Sequence, residues 1–147
     1  MNENFYLISH RGNLTGSNKD LENNPSYIEK AINLGFDVEV DVYFKKNQLF
    51  LGHDEPIFRI DVSFLKNKKI WCHAKNIESL DYLLNFNDIH VFWHQNDDFT
   101  LTSRGYIWTY PGKYVTNKSI LVLDKNISKQ NLPVCMGICS DYVSYLI

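Results

Sequence analysis

Two carboxylates stand two residues apart in the most regular stretch of the chain. Residues 36–42 alternate apolar and polar side chains, which is typical of a β-strand with one buried face. Residues i and i+2 of a strand share a face, so Glu39 and Asp41 are predicted to lie side by side. Their oxygens suit Mg²⁺ or Ca²⁺, and a cation would relieve the repulsion between them. Asp37 extends the same face, so a solvated acidic face on an edge strand is the alternative.

A second reactive group follows the first apolar run of the chain. His10 can take or give a proton near neutral pH, and Arg11 can grip a phosphate or a carboxylate through two N–H groups. Gly12 permits a tight turn close to a ligand. These residues follow a predicted strand, where α/β active sites are built, although an ordinary turn with a solvated charge has the same pattern.

Two further segments place titratable residues beside predicted strands. His53 and Asp54 follow a short strand, where they form either part of a site or a capping turn. His73 and Lys75 share one face of a later strand, where a histidine is otherwise a hydrogen-bonded core residue.

The elements that must position these residues form an α/β pattern in a single domain spanning 1–147. The predicted strands cover 5–8, 36–42, 49–51, 69–75, 89–94, 106–109, 120–123 and 137–140. A helix is predicted to begin at Pro25 after the capping residue Asn24 and to stop at Gly35, and a second helix follows the cap Asn76. The order strand, helix, strand suggests a right-handed βαβ unit.

In this order the motifs resemble those of the glycerophosphodiester phosphodiesterase family, within the phospholipase-C-like phosphodiesterase superfamily. The matching residues, all within 5–75, are His10-Arg11-Gly12, Glu22-Asn23, Glu39-Val40-Asp41, His53-Asp54 and Lys75. Near the C-terminus, Ser140-Asp141 is similar to a Thr-Asp that closes the last strand in that family.

The resemblance implies a TIM-type (β/α) barrel and a role for each matching side chain. It implies a general acid/base pair in His10 and His53, metal ligands in Glu39 and Asp41, and phosphate-binding groups in Arg11 and Lys75. The family usually has a third metal-binding carboxylate two residues before the lysine, and this chain has His73 there. We therefore expect one divalent cation, Mg²⁺ or Ca²⁺, with Mn²⁺ or Zn²⁺ favoured if His73 is a ligand; an altered or lost metal site is the alternative.

The length of 147 residues is short for such a barrel, which typically has about 250. We expect a compact or incomplete barrel with reduced helices, most of all after Gln95. Residues 43–52 are expected to form a β-hairpin excursion after the second strand, which returns His53 to the catalytic rim. Apolar strand faces left uncovered would favour a homodimer or an open barrel.

Composition limits the classes of partner and compartment. A net charge of −2 argues against a nucleic-acid binder with a broad basic field. No apolar run approaches the roughly 20 residues needed to span a membrane, and the first residues lack the features of a signal peptide. Three cysteines form no disulfide framework, so a cytoplasmic setting is expected.

The sequence thus predicts an enzyme that hydrolyses a small glycerophosphodiester-like phosphodiester with a metal ion and two histidines. Trp108 and Tyr110 are expected to line the substrate pocket, with core filling as the alternative. A phospholipase-D-like lyase or a phosphomonoesterase could use the same site. A catalytically inactive barrel that binds phosphate or sugar is the alternative from another class.

Overall fold

The computed structural model describes residues 5–147, which form many short strands and few helices. The strands are β1 (Tyr6–His10), β2 (Asp37–Lys45), β3 (Gln48–Leu51), β4 (Phe58–Ile60), β5 (Ile70–Ala74), β6 (His90–Trp93), β7 (Phe99–Leu101), β8 (Ile107–Thr109), β9 (Ser119–Leu123) and β10 (Gly137–Ser140). The α-helices are α1 (Pro25–Asn33), α2 (Val62–Leu65) and α3 (Ile77–Leu83). Two short 3-10 helices cover Lys129–Asn131 and Val143–Leu146.

These strands form one sheet that curls into a half-barrel. Seven strands run parallel in the order β6-β5-β2-β1-β10-β9-β8. Strand β7 pairs antiparallel with β8, and β3 and β4 form an antiparallel extension of β2. The curl brings the two sides of the sheet together, because Phe92 of β6 stacks on Trp108 of β8 with ring centroids 4.6 Å apart.

The prediction of a compact or incomplete TIM-type (β/α) barrel is wrong. Among the described residues, α-helices follow only β1, β4 and β5, so strands and helices do not alternate around the fold. The connections 110–118 and 124–136 join parallel strands without an α-helix. Their polar sequences, interrupted by Pro111-Gly112 and Pro133, carry no apolar stripe on which a helix could pack.

Loops and a short 3-10 helix take the place of the missing helical layer. The apolar cluster over β9 and β10 contains Val143 and Leu146 of the 3-10 helix, together with Leu121 and Ile138 of the strands. Helices α1 and α3 cover only the other half of the sheet, where Ile28 and Leu83 are fully buried. None of the helices within 5–147 has the length and apolar character that a membrane crossing requires.

The alternation in β2 sorts its residues between the two faces of the sheet. Val38 and Val40 are fully buried in the cluster beneath α1 and α3. Glu39 and Asp41 lie on the opposite, concave face and are only 2% and 0% exposed. The alternative of a solvated edge strand is wrong, because β2 lies between β1 and β5 in the middle of the sheet.

Candidate functional site

A cleft of about 480 Å³ opens at the carboxyl ends of the parallel strands. The residues that line it are His10, Arg11, Glu39, His53, His73, Ala74, Lys75, Trp93, His94, Gln95, Trp108, Tyr110, Val122 and Cys139. The structure therefore places eight of the nine sequence-predicted site residues in the lining of a single cleft. The ninth, Asp41, is fully buried and contacts the lining residues His73 and Arg11.

The register of the parallel strands places these residues side by side on neighbouring strands. His10, the last residue of β1, pairs with Glu39, and Asp41 pairs with His73 of β5. The backbone N–H of Lys75 donates to the carbonyl of Val42 at 2.9 Å, which continues this pairing past the end of β5.

The β2–β3 hairpin delivers His53 to the same rim. The backbone N–H of Gly52 donates to the carbonyl of Asp41 at 3.2 Å. The backbone N–H of Arg11 donates to the carbonyl of Glu39, two residues earlier on the same edge of β2. A Cβ at Gly52 would lie 1.9 Å from the carbonyl oxygen of Glu55, so only glycine fits this turn. The next residue, His53, is held through its carbonyl, which accepts a hydrogen bond from the Tyr43 hydroxyl at 3.0 Å.

Asp41 is fixed by an unusually strained pair of residues. The side chain of Asn23 donates to Asp41 Oδ2 at 2.9 Å and accepts from the backbone N–H of Asp41 at 2.9 Å. Arg11 Nε lies 2.8 Å from the same Oδ2 in an ion pair. Arg11 and Asn23 both have left-handed backbones, with φ of 59° and 62°. Such conformations cost roughly 1–3 kcal/mol each and persist where the surroundings hold them, commonly at functional sites.

Arg11 is largely engaged within the protein. Its Nη1 donates to Glu22 Oε2 at 3.1 Å, while Nε faces Asp41. Glu22 also accepts hydrogen bonds from Asn13 and Ser17, both at 2.9 Å. Burial alone would lower the pKa of Arg11, but the neighbouring carboxylates raise it and keep the guanidinium charged.

Lys75 is the freer of the two predicted phosphate-binding residues. Its Nζ approaches no closer than 4.0 Å to Asp41 Oδ1, and its side chain is 20% exposed in the cleft. An ammonium group with so loose an internal partner is available to an anion in the cleft.

Three side chains form a cluster whose ligand atoms lie within 4.8 Å of one another: Glu39, Asp41 and His73. Glu39 Oε2 and Asp41 Oδ1 are buried and accept no hydrogen bond. His73 Nε2 donates to the carbonyl of His94 at 3.2 Å, which directs Nδ1 toward Asp41 Oδ1 at 3.3 Å and Glu39 Oε1 at 3.6 Å. Metal-binding histidines characteristically donate their other ring N–H in this way, so the cluster fits a divalent cation.

Charged neighbours in and around this cluster shift the pKa values of His73 and Asp41. Burial alone would lower the pKa of His73, but the adjacent Asp41 and Glu39 raise it to about 9. Burial would likewise raise the pKa of Asp41, but His73 and Arg11 hold it well below its usual range. Asp41 therefore remains ionised although it is fully buried.

Each of the two predicted proton-transfer histidines is paired with a carboxylate through Nδ1. His10 Nδ1 donates to Asp141 Oδ1 at 2.7 Å, and His53 Nδ1 donates to Asp54 Oδ1 at 2.7 Å. Burial would lower the pKa of His10, but the hydrogen bond to Asp141 and the charge of Glu39 raise it. In both residues Nε2 is the ring nitrogen left for a ligand, and in His10 it lies 3.8 Å from Glu39 Oε2.

The aromatic residues of the cleft have two different roles. Trp108 is 3% exposed and stacks on Phe92, so it fills the core and leaves little of its surface to the cleft that it borders. Tyr110 is half-buried and stacks face to face on His94, with centroids 3.8 Å apart and planes 21° from parallel. Burial raises the pKa of Tyr110, so its hydroxyl stays protonated.

Several residues of the site carried little signal in the sequence. Asn13, fully buried, donates to both Glu22 and Asp141, yet a single asparagine in a polar loop has no distinguishing pattern. Asp141 was marked only by its similarity to a family motif. His94 was marked only by its position directly after a strand.

No family model, curated protein or solved structure matches this chain.

Proposed function

We propose that this cleft hydrolyses a small phosphodiester of the glycerophosphodiester class with the help of a bound divalent cation. One observation carries the proposal: buried Glu39 and Asp41 each have a carboxylate oxygen without a hydrogen bond and lie beside the oriented imidazole of His73, in a cleft that two carboxylate-paired histidines also line. The motif order that resembles glycerophosphodiester phosphodiesterases supports the same chemistry, although the fold is not the barrel that this resemblance implies.

Glu39, Asp41 and His73 would hold the cation. When bound, it supplies neutralisation of charge and polarisation of the phosphoryl group. Two carboxylates suit Mg²⁺ or Ca²⁺, whereas the imidazole ligand favours Mn²⁺ or Zn²⁺.

His10 and His53 would move the protons. One imidazole accepts the proton of the attacking hydroxyl as its oxygen bonds to phosphorus, and the other donates a proton to the leaving oxygen as its bond to phosphorus breaks. Asp141 and Asp54 hold the Nδ1 protons and so keep Nε2 directed to the reaction. Lys75, with Arg11 behind it, would bind the phosphate oxygens.

Net charge, free thiols and exposed apolar side chains bear on the partner, the compartment and the oligomeric state. The partner is a small-molecule phosphodiester rather than a nucleic acid, since the net charge is −2. Free thiols at Cys72, Cys135 and Cys139 support a reducing compartment such as the cytoplasm. Exposed apolar side chains on the β7 edge, Phe99 and Leu101, support a homodimer.

Product analysis tests this function. Phosphorus NMR should show glycerol phenyl phosphate, a glycerophosphodiester with an uncharged substituent, converting to glycerol phosphate, or to a cyclic phosphate, when the protein and Mn²⁺ are both present. A cyclic product would indicate attack by a substrate hydroxyl, and phenyl phosphate as the product would place cleavage on the other side of phosphorus. Turnover of a phosphomonoester alone, or no turnover with any divalent cation, would contradict the proposal.

A further inference from the structure

The cleft has two chemically different halves. Strands β1, β2 and β5, with the hairpin, contribute its charged groups. Strands β6 and β8–β10 contribute an aromatic and apolar wall, which consists of Trp93, His94, Trp108, Tyr110, Val122 and Cys139. A phosphodiester has one anionic centre and two substituents, so its phosphate and one substituent can be bound by separate halves.

The wall includes a rigid, flat surface. Tyr110 and His94 stack at 3.8 Å, and His94 Nε2 donates to the carbonyl of Asp97 at 2.8 Å, which fixes the rotation of the imidazole. His94 also holds His73 through its own carbonyl. Aromatic groups that are already ordered lose little conformational entropy when a ligand packs on them.

The electrostatics of the wall select against charged substituents. Among the described residues that line this half there is no carboxylate that could balance a cationic group. Lys75 lines the same cleft, so a quaternary ammonium or an amine would meet like charge. The nearby carboxylates Glu39 and Asp41 are taken up by the cluster with His73.

Resting on the proposed function, we infer that the substituent bound here is an uncharged alcohol that contains a ring, and that Tyr110 and His94 determine this specificity. The cleft volume of about 480 Å³ fits a substrate of one ring, one phosphate and a glycerol-sized group. Two kinds of alcohol have the required ring face, which packs on the Tyr110–His94 pair. The ring is either aromatic or that of a sugar.

Binding of uncleavable analogues tests this inference without requiring turnover. The probes are glycerol phosphonates in which a methylene replaces the oxygen between phosphorus and the variable group, which is ethyl, aminoethyl, phenyl or glucosyl. Calorimetry in the presence of Mn²⁺ should show the phenyl or glucosyl probe binding at least fivefold more tightly than the ethyl probe, and the aminoethyl probe binding most weakly. The ring probe that binds more tightly shows whether the ring of the natural substituent is aromatic or that of a sugar.

Variants at the wall make the test specific. Tyr110→Ala should reduce the ratio of ring to ethyl affinity by roughly 5- to 100-fold, the range found when a stacking ring is removed. Tyr110→Phe retains the ring and should retain the ratio. Tyr114→Ala, at a tyrosine that is 80% exposed and does not line the cleft, is the matched control and should bind all four probes as the wild type does.

Two outcomes would overturn the inference. One is a wild type that binds ethyl or aminoethyl probes as tightly as the ring probes, and the other is a ratio that Tyr110→Ala leaves unchanged. Failure of the proposed function is distinguishable, because it would appear as the absence of glycerophosphodiester turnover while the binding preference among phosphonates is still measurable.

Discussion

Asp41 shows how strongly individual residues of this site are held in place. It is fully buried, ionised, and bound at Oδ2 by Asn23 and Arg11, while Oδ1 accepts no hydrogen bond. Leaving a buried carboxylate oxygen without a donor is costly. A cation shared with Glu39 and His73 would remove that cost, so the arrangement is typical of binding rather than of stability alone.

The two histidine–carboxylate pairs lead to a prediction about turnover. His10→Ala and His53→Ala should each lower the turnover number for glycerol phenyl phosphate by roughly 10²–10⁴, the usual contribution of a positioned acid or base. Steady-state kinetics of purified variants measure this effect, and thermal melting shows whether each variant is folded. Asp124→Ala, at an exposed residue, serves as the control. Near-normal turnover of either histidine variant would remove that histidine from the mechanism.

His73 leads to a prediction about the choice of metal. His73→Glu replaces an imidazole, which is neutral when it holds the cation, with a carboxylate, so the metal-bound cluster with Glu39 and Asp41 gains one negative charge. The variant should therefore bind Ca²⁺ or Mg²⁺ more tightly relative to Mn²⁺ or Zn²⁺ than the wild type does. Calorimetric titration of each ion into both proteins measures the preference. The same preference in both would show that His73 is not a ligand.

At the scale of elements, most strands and the two longer helices were predictable, and the shortest elements were not. The alternation of residues 36–42 and the caps Asn24 and Asn76 predict β2, α1 and α3, and the structure confirms these elements. Strands β4 and β7 were missed, because each has only three residues with a polar one at the centre, whereas β8, equally short, lies within the predicted strand 106–109.

The cap of α3 also anchors the hairpin that carries His53, which gives an element-scale prediction. Asn76 Oδ1 accepts from the backbone N–H of Ser79 and of Phe44, both at 3.1 Å, and its Nδ2 donates to the Phe44 carbonyl at 2.8 Å. Asn24 caps α1 through Ser26 without contacting another strand.

Asn24→Ala should lower the free energy of unfolding by about 1 kcal/mol, the usual value for a cap. Asn76→Ala should lower it by roughly 2–3 kcal/mol, because two further backbone groups of Phe44 lose their partner. Urea denaturation of both variants measures the difference. Equal losses would mean that the contact with Phe44 does not stabilise the hairpin.

At the scale of the whole molecule, aromatic side chains fill the concave face of the half-barrel below the cleft. Tyr6 packs edge-on against Trp71 at 5.3 Å, and His90 lies against the same Trp71 at 4.1 Å. This arrangement could not be predicted from sequence patterns, because the curl of the sheet brings together residues from strands that are distant in the chain. A short chain can thus support a deep cleft without a complete helical layer.

His90 in this filling predicts how the stability of the molecule depends on pH. It is 2% exposed, its Nε2 is 2.7 Å from Thr102 Oγ1, and burial lowers its pKa to about 3. The unfolded chain binds a proton at His90 below about pH 6.5, whereas the folded chain does not do so until about pH 3. This contribution to stability is therefore complete above pH 6.5 and is lost as the pH falls toward 3.

The free energy of unfolding of the wild type should fall more steeply than that of His90→Gln over this range, by up to about 1.4 kcal/mol per pH unit. Urea denaturation at several pH values compares the slopes and allows for the carboxylates, which titrate in both proteins. Parallel curves would show that His90 is not held neutral in the folded state.

The central claim is that the cluster of Glu39, Asp41 and His73 holds a divalent cation on which phosphodiester hydrolysis depends. The most direct test is the initial rate of glycerol phenyl phosphate hydrolysis by metal-stripped protein as Mn²⁺ is added, for wild type, Glu39→Gln and the exposed control Glu29→Gln. We expect the stripped wild type and control to gain at least about 10²-fold in rate and to saturate, because the lost charge neutralisation is worth several kcal/mol, while Glu39→Gln gains little. A stripped wild type that retains its full rate, or a Glu39→Gln that responds as the wild type does, would contradict the account.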